Sequence, residues 1–357
     1  MALKKLWQRN STLITLLGLL TVLSTIGWTA MGEKPFVRTT LSGLTLSALY
    51  FMVASGLTLV FGLMDVLNFA QGSMFMVGAY AGWQFYTNPT FLFGLAPLIC
   101  ALLTGLTASN ALHSHVTNWQ IPERHQQRLR SGLMLLALLV GLAGVWGLDI
   151  RELAETAMVA TMVASNPLAE ATPQEPLVTF WGRALLLLLA GVILALALAR
   201  PGDKTKIVPR DAARRSSVTF GVLVLGTVLL TLLREVGPVA VLQMNGDLRF
   251  VLALLVGALV GAGAGIVIEA TLISPLYVRP LYQIIVTMGL AFVISELIQL
   301  LWDPLPYAMS RPPHFSLPGK AENILAWFGG GNTTVDIMGV TFPSYRLFII
   351  ALGILMF

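Results

Sequence analysis

Residues Leu41 to Tyr86 read L-S-G-L-T-L-S-A-L-Y-F-M-V-A-S-G-L-T-L-V-F-G-L-M-D-V-L-N-F-A-Q-G-S-M-F-M-V-G-A-Y-A-G-W-Q-F-Y, 46 residues in which Asp65 is the single charged side chain. A hydrocarbon core of about 30 Å takes roughly 20 helical residues to cross. A turn at Met64–Asp65 leaves 24 residues before it and 21 after it, so the stretch reads as two crossings. The 357-residue chain as a whole has the same character, with 56% hydrophobic and 11% charged residues. Ordinary soluble domains have roughly 45–50% and about 25%. A water-soluble globule is excluded.

Ten apolar runs are candidates for spans: Leu13 to Met31, Leu41 to Met64, Val66 to Tyr86, Phe91 to Leu112, Gly132 to Leu148, Leu177 to Ala199, Val218 to Leu233, Phe250 to Ile273, Leu281 to Trp302, and a tenth from Leu347 that stops at Phe357. The expected fold is therefore all-α, a polytopic transmembrane helical bundle with about nine complete spans plus an incomplete tenth. With a cytoplasmic amino terminus, the inner segments are 1–12, the Met64–Val66 turn, 113–131, 200–217 and 274–280, and they hold 13 of the 22 Lys and Arg residues. That bias follows the positive-inside rule. The net charge of +5 is thus assigned to cytoplasmic loops touching membrane lipid, with no nucleic-acid partner. The first run is read as an uncleaved anchor, since its apolar stretch is long and no A-x-A site follows.

Within the third run, Asp65, Asn68 and Gly72 follow an i, i+3, i+7 pattern with Gln71 beside them, which on a continuous helix makes one polar face. Polar groups at membrane depth line a substrate path or bond neighbouring helices, and the pattern suits either role. Gly257, Gly261 and Gly265 repeat every four residues, the small-xxx-small pattern of a close helix crossing. Glu296 and Arg183 lie inside spans near their outer ends, where long side chains snorkel or pair. His113, His115 and His125 have no metal-ligand spacing and are read as part of a solvated basic loop, so no metal site and no cofactor are expected. The Gly329-Gly330-Gly331 run lacks the Lys-Ser/Thr of a phosphate-cradling loop. Residues 303–342, with five prolines, read as a long outward loop.

The stretch from Leu46 to Tyr80, with G-L-T-L-V-F-G followed by N-F-A-Q-G, resembles the permeases of branched-chain amino-acid and urea ABC importers. A second block, G-A-G-A-G-I-V-I-E from Gly261 to Glu269 followed by the proline-bearing P-L-Y-V-R-P-L-Y, is similar to that family's small-residue helix, acidic end and inner loop. A third, F-P-S-Y-R-L-F-I-I from Phe342 to Ile350, is similar to the start of its next span. There are departures. Gln71 stands where many members have histidine, and Ser274 where arginine is common, leaving Arg279 as the nearest partner for Glu269. Asn68 and Glu269 are 201 positions apart, which implies a large insertion whose even number of crossings preserves orientation.

The resemblance implies three regions: 1–106, an N-terminal permease part with an extra anchor helix and the N-F-A-Q-G block; 107–246, an inserted transmembrane region; and 247–357, a second permease part that stops before the ATPase-docking loop. It implies a permease subunit of an importer moving a small amphipathic solute (a branched-chain amino acid, urea or an amide) across the bacterial inner membrane. Its expected partners are a second permease subunit, two cytoplasmic ATPases and an extracytoplasmic solute-binding protein. Asn68, Phe69, Gln71 and Gly72 would line or gate the path, and Glu269 and Glu296 are the intramembrane ionisable groups. ATP would be hydrolysed on other subunits, so the chain is not itself an enzyme. The alternative is an ion-coupled secondary transporter, whose sites lie in broken helices of two repeated halves. No convincing repeat is present.

Overall fold

The computed structural model describes residues 2–107, 123–150, 154, 176–198, 210–277, 279–302, 307 and 309–356. His113, His115 and residues 200–209 of the second basic loop lie outside the described residues. The chain divides into two compact units, one of Met1–Phe75, Val267–Ala291 and Arg311–Phe357, the other of Met76–Ile266 and Phe292–Ser310.

Among the described residues, six helices are long and apolar enough to cross a membrane, or seven if one bent pair counts as a span. The nine expected crossings are therefore not all reproduced. Helix is the required form for such segments, because it satisfies every interior backbone group within the segment itself.

In the first unit, α1 (Ala2–Met31) and α2 (Glu33–Met64) are separated at Gly32, whose φ of 78° suits glycine. The Trp28 and Phe36 rings meet edge-on at 5.6 Å across this break. Helix α2 has 32 residues, about 48 Å of helix. It stops at Asp65, which adopts the left-handed conformation (φ 54°, ψ 36°) and donates its backbone N–H to Phe61 O at 2.9 Å. Aspartate is among the few L-residues that enter this region readily. The chain then runs without helix until α3 (Gln71–Thr87). The expected continuous third span is thus corrected. Its first residues are irregular, and the 17-residue α3 covers only about 25 Å.

The same unit holds a small folded cap in place of the expected 303–342 loop. It comprises the one-turn α11 (Pro313–Ser316), β1 (Lys320–Ala321), α12 (Ile324–Gly330), β2 (Thr334–Ile337) and β3 (Val340–Pro343). Strand β1 pairs parallel with β2, and β2 antiparallel with β3, with Val335 opposite Phe342. Both central residues of the hairpin turn, Met338 and Gly339, have positive φ (53° and 76°), the conformation whose twist matches paired strands. Beneath the sheet Phe315, Trp327, Val335 and Phe342 are buried. Strand β3 leads directly into α13 (Ser344–Met356), the expected unfinished tenth run, and α13 packs on α2 where a Cβ at Gly353 would come within 2.7 Å of Ala48 Cβ.

Asp336 joins the cap together by pairing with Lys320 and by accepting the Gly339 N–H at 2.7 Å. The Lys320 hydrogen bond, with smaller help from the Gly339 amide and Lys34, holds the Asp336 carboxyl below its ordinary pKa. A carboxylate depressed in the folded state stabilises the fold above its unfolded pKa and loses that contribution as pH falls through the folded value. Hydrogen exchange of the β2–β3 amides should therefore accelerate as pH drops below about 4, after correction for intrinsic rates. Asp336→Asn should flatten that dependence.

In the second unit, α4 (Pro89–Thr107) crosses α6 (Leu177–Leu198) over a core of Leu98, Ala101, Phe180, Ala184 and Leu187. Glycines let the two backbones touch: a Cβ at Gly105 would lie 2.3 Å from Leu188 O, and one at Gly191 2.4 Å from Leu102 O. Helix α5 (Glu123–Val145) packs on α6, and α7 (Arg210–Leu232) on α4. After α7 the chain bends by 76° into α8 (Val236–Gln243), an element not expected from sequence, and then enters α9 (Gly246–Ile268). Hydroxyls in these apolar helices bond carbonyls one turn back, as Thr227 does to Leu223 O at 2.8 Å. The last turns of α10 (Pro280–Trp302) meet an aromatic cluster in which Trp302 lies 4.8 Å from Tyr80 and 5.4 Å from Phe91.

Candidate functional site: a helix break held against a polar row

The first unit contains the break between α2 and α3 and, beside it, the first turns of α10. Asn68 is 7% exposed, and its side-chain oxygen accepts the Ala70 N–H at 3.0 Å, so the carboxamide shapes the turn into α3. The Phe69 N–H donates to Thr287 Oγ1 at 3.2 Å, and Thr287 in turn donates to Gln283 O at 2.8 Å. Ser73 Oγ donates to Ala291 O at 3.1 Å. Gln283, Thr287 and Ala291 recur every four residues on α10, so one face of that helix carries the break along two turns.

Gln71 opens α3 and is half-buried; among the described residues its Oε1 is buried without a hydrogen-bond partner, and its side chain lies over Gly56 of α2. A Cβ at Gly56 would sit 1.9 Å from Gln71 Nε2. Because the obstruction is the end of a flexible side chain, Gly56→Ala should fold normally and push the Gln71 amide aside. Unchanged thermal stability is the expected result, and a clear drop in melting temperature would show instead that the Gln71 amide is held in place. Gly72 has no atom within 4 Å of its would-be Cβ, and Phe69 exposes its ring.

The expected helical polar face is corrected by this geometry. Asp65 is a left-handed helix end and Asn68 a turn residue, so neither shares helical register with Gly72. Thr287, Ser73 and Gln283 are not among the residues to which the sequence motifs point, whereas Gly56 opens the G-L-T-L-V-F-G run. Gln283 and Thr287 carried a usable signal, two polar residues one turn apart in the apolar first half of a span.

The lower end of α9 is also irregular. A π-type turn (Glu269–Ile273) and a single 3₁₀ turn (Ser274–Leu276) follow it. Half-buried Glu269 accepts a hydrogen bond from Tyr277 Oη at 2.8 Å. That bond raises the Tyr277 pKa, because ionising the phenol would set two anions side by side. Among the described residues no ion pair joins Arg279 to Glu269; the Arg279 guanidinium lies 5.8 Å from the Tyr282 ring centre. The expected partner is therefore replaced by a phenol. Met64, Asp65, Tyr277, Pro280 and Gln283 line an open cavity of about 460 Å³ below the break.

Within the second unit, Gly257 faces Gly78: a Cβ on either would be 2.7 Å from the other's carbonyl oxygen. A Cβ at Gly78 would also reach Gly261 Cα at 3.5 Å, and Gly265 is half-buried further along α9. Glu296 is exposed on α10. Arg183 donates to the carbonyl oxygens of Gly144 and Trp146, at 3.3 and 2.5 Å.

No family model matches the chain, and no solved structure matches it. Over 104 residues the chain is 28% identical to the high-affinity branched-chain amino acid transport system permease protein BraD of Pseudomonas aeruginosa. It is 25% identical, again over 104 residues, to the corresponding permease protein LivH of Escherichia coli K12 and of Salmonella typhimurium. These relatives are permeases. The matched stretch is 29% of this chain and about a third (33%) of each relative's length, so the likeness supports that family loosely.

Proposed function

We propose that the chain is a transmembrane permease subunit of an ATP-binding-cassette importer in the bacterial inner membrane, its amino terminus cytoplasmic. Its cargo would be a small amphipathic solute: a branched-chain amino acid, urea or an amide. The observation that carries this reading is the 104-residue similarity to branched-chain amino acid permeases. The broken segment between α2 and α3 supports it physically. Non-helical backbone at membrane depth is tolerated where protein covers it or where it lines a cavity; here Asp65 lines a cavity and the Phe69 amide is bonded to Thr287.

In this reading Asn68, Phe69, Gln71 and Gly72 line or gate the path, and residues 107–246 are an insertion with basic cytoplasmic loops. Energy comes from two ATPase subunits, and solute arrives from an extracytoplasmic binding protein beside a second permease. Copurification from its native membrane should bring these partners down together, and ligand profiling of the captured binding protein would name the solute. Reconstituted vesicles should take up that solute only with ATP and both ATPases present. Uptake that persists without the ATPases, and collapses with an uncoupler, would overturn the proposal.

A further inference from the structure

Helix α8 lies between α7 and α9, of which α9 belongs to a segment long and apolar enough to cross the bilayer by itself. Helix α7 has 23 residues, about 34 Å of helix. The sequence from Ser216 to Leu233 is an uncharged stretch of 18 residues, set between Arg214-Arg215 and Arg234-Glu235. Its length of about 27 Å matches a hydrocarbon core, so Arg234 and Glu235 fall at the far boundary. On the other side, the apolar segment Gly246–Leu276 has 31 residues and completes a crossing by itself. It begins with Asn245 Oδ1 accepting the Asp247 N–H at 3.1 Å, a polar start that suits the same boundary. The two ends of α8 therefore lie at one level.

The burial pattern of α8 fits that placement. Gly237, Pro238 and Val241 are buried, with Gly237 so close to α4 that a Cβ there would meet the Phe93 ring at 2.5 Å. Val236, Val239 and Leu242 form an i, i+3, i+6 row on the other side, 65%, 51% and 42% exposed. The elbow is fixed by cations on aromatic faces: the Arg234 guanidinium lies 4.0 Å from the Phe180 ring centre and that of Arg249 4.6 Å from Tyr86. Arg249 also donates to Leu242 O at 3.4 Å, joining the last turn of α8 to the first turn of α9. With a 76° bend from α7, eight residues can neither cross nor dip deeply and return.

We propose that α8 lies flat in the membrane–water boundary, its Val236, Val239 and Leu242 row seated in phospholipid where headgroups meet acyl chains. Eight residues cover about 12 Å, and an in-plane apolar row of this kind sits roughly 5–10 Å into the boundary region. The lipid contact is continuous with the lipid-facing flank of α7, where Leu225 and Leu232 are 67% and 62% exposed. The placement makes α7 a complete span and α8 a connector, so the bent pair is neither a broken span nor a re-entrant loop.

The test uses the full chain with its one cysteine, Cys100, changed to alanine. Single cysteines at Val236, Val239 and Leu242 are spin-labelled, with Leu225 and Leu232 as references. In nanodiscs of phosphatidylethanolamine and phosphatidylglycerol, collision with oxygen and with a water-soluble nickel chelate reports depth. The references should differ by about 10 Å, whereas the three α8 sites should share one shallow depth and favour oxygen over nickel. Progressive deepening from Val236 to Leu242 by about 9 Å would overturn the proposal in favour of a re-entrant segment. High nickel accessibility would show water against the row, and low accessibility to both probes a protein partner; either result also overturns it. A variant that is not monodisperse is replaced by the cysteine at the neighbouring exposed position Ala240, read in the same way.

Discussion

Replacing Gly105 with leucine should remove nearly all monodisperse protein from detergent extracts. A Cβ at this position would stand 2.3 Å from Leu188 O, 2.7 Å from Val192 N and 2.8 Å from Gly191 Cα. All three obstacles are backbone, so no side-chain rotation relieves them. Overpacking in a core that can adjust costs about 1–3 kcal/mol, and a backbone-to-backbone contact sits at or above that range. Against a total stability of roughly 5–15 kcal/mol, the loss would be accompanied by separation of α4 from α6. Gly226→Leu on α7 is the matched control, since nothing lies within 4 Å of its would-be Cβ, and it should be recovered like the parent. A normal melting temperature for Gly105→Leu, measured by thermal size-exclusion, would contradict the α4–α6 crossing itself.

On the proposed permease function, Asn68→Leu should insert and assemble yet lose at least tenfold in solute uptake. The leucine makes the segment more apolar, so insertion is not opposed. What disappears is the side-chain acceptor of the Ala70 N–H, worth about 1–2 kcal/mol locally because a buried donor is left unsatisfied. The Phe69 amide depends on the same turn to reach Thr287. Uptake in reconstituted vesicles and yield of the partner complex are measured side by side. Intact complex with reduced uptake places Asn68 in the path. Dissociation makes it structural, and unchanged uptake removes it from both roles.

The helices were legible in the sequence because apolar runs and charge-bearing boundaries are local quantities. The turn at Met64–Asp65 was legible too, but the irregular stretch after it was not, because V-L-N-F-A-Q-G is apolar enough to continue a helix. What stops it is a left-handed Asp65 and an Asn68 side chain bonding its own backbone, preferences of single residues that a hydropathy window averages away. The polar row on α10 meets the break across 218 positions, and no spacing rule reaches that far. The cap hides a hairpin signal, V-D-I-M-G-V-T-F, in which alternating residues flank a two-residue turn. The signal is weak because Met occupies a position where Asn, Asp or Gly is usual. Helix α8 was lost for the opposite reason: its eight residues are too few to register as a span.

The glycine contact between α3 and α9 has a mechanical consequence. Where Gly78 and Gly82 meet Ala253 and Gly257, backbone faces backbone, and no interlocked side chains need to unmesh for the helices to rotate about that point. Translation is another matter. Sliding α3 by one turn, about 5.4 Å, would drive Tyr86, which follows in the same four-residue row and already abuts Phe250 at 6.2 Å, towards the glycine seat. The crossing thus leaves scissoring free of side-chain interlock, while slip in that direction meets an aromatic stop.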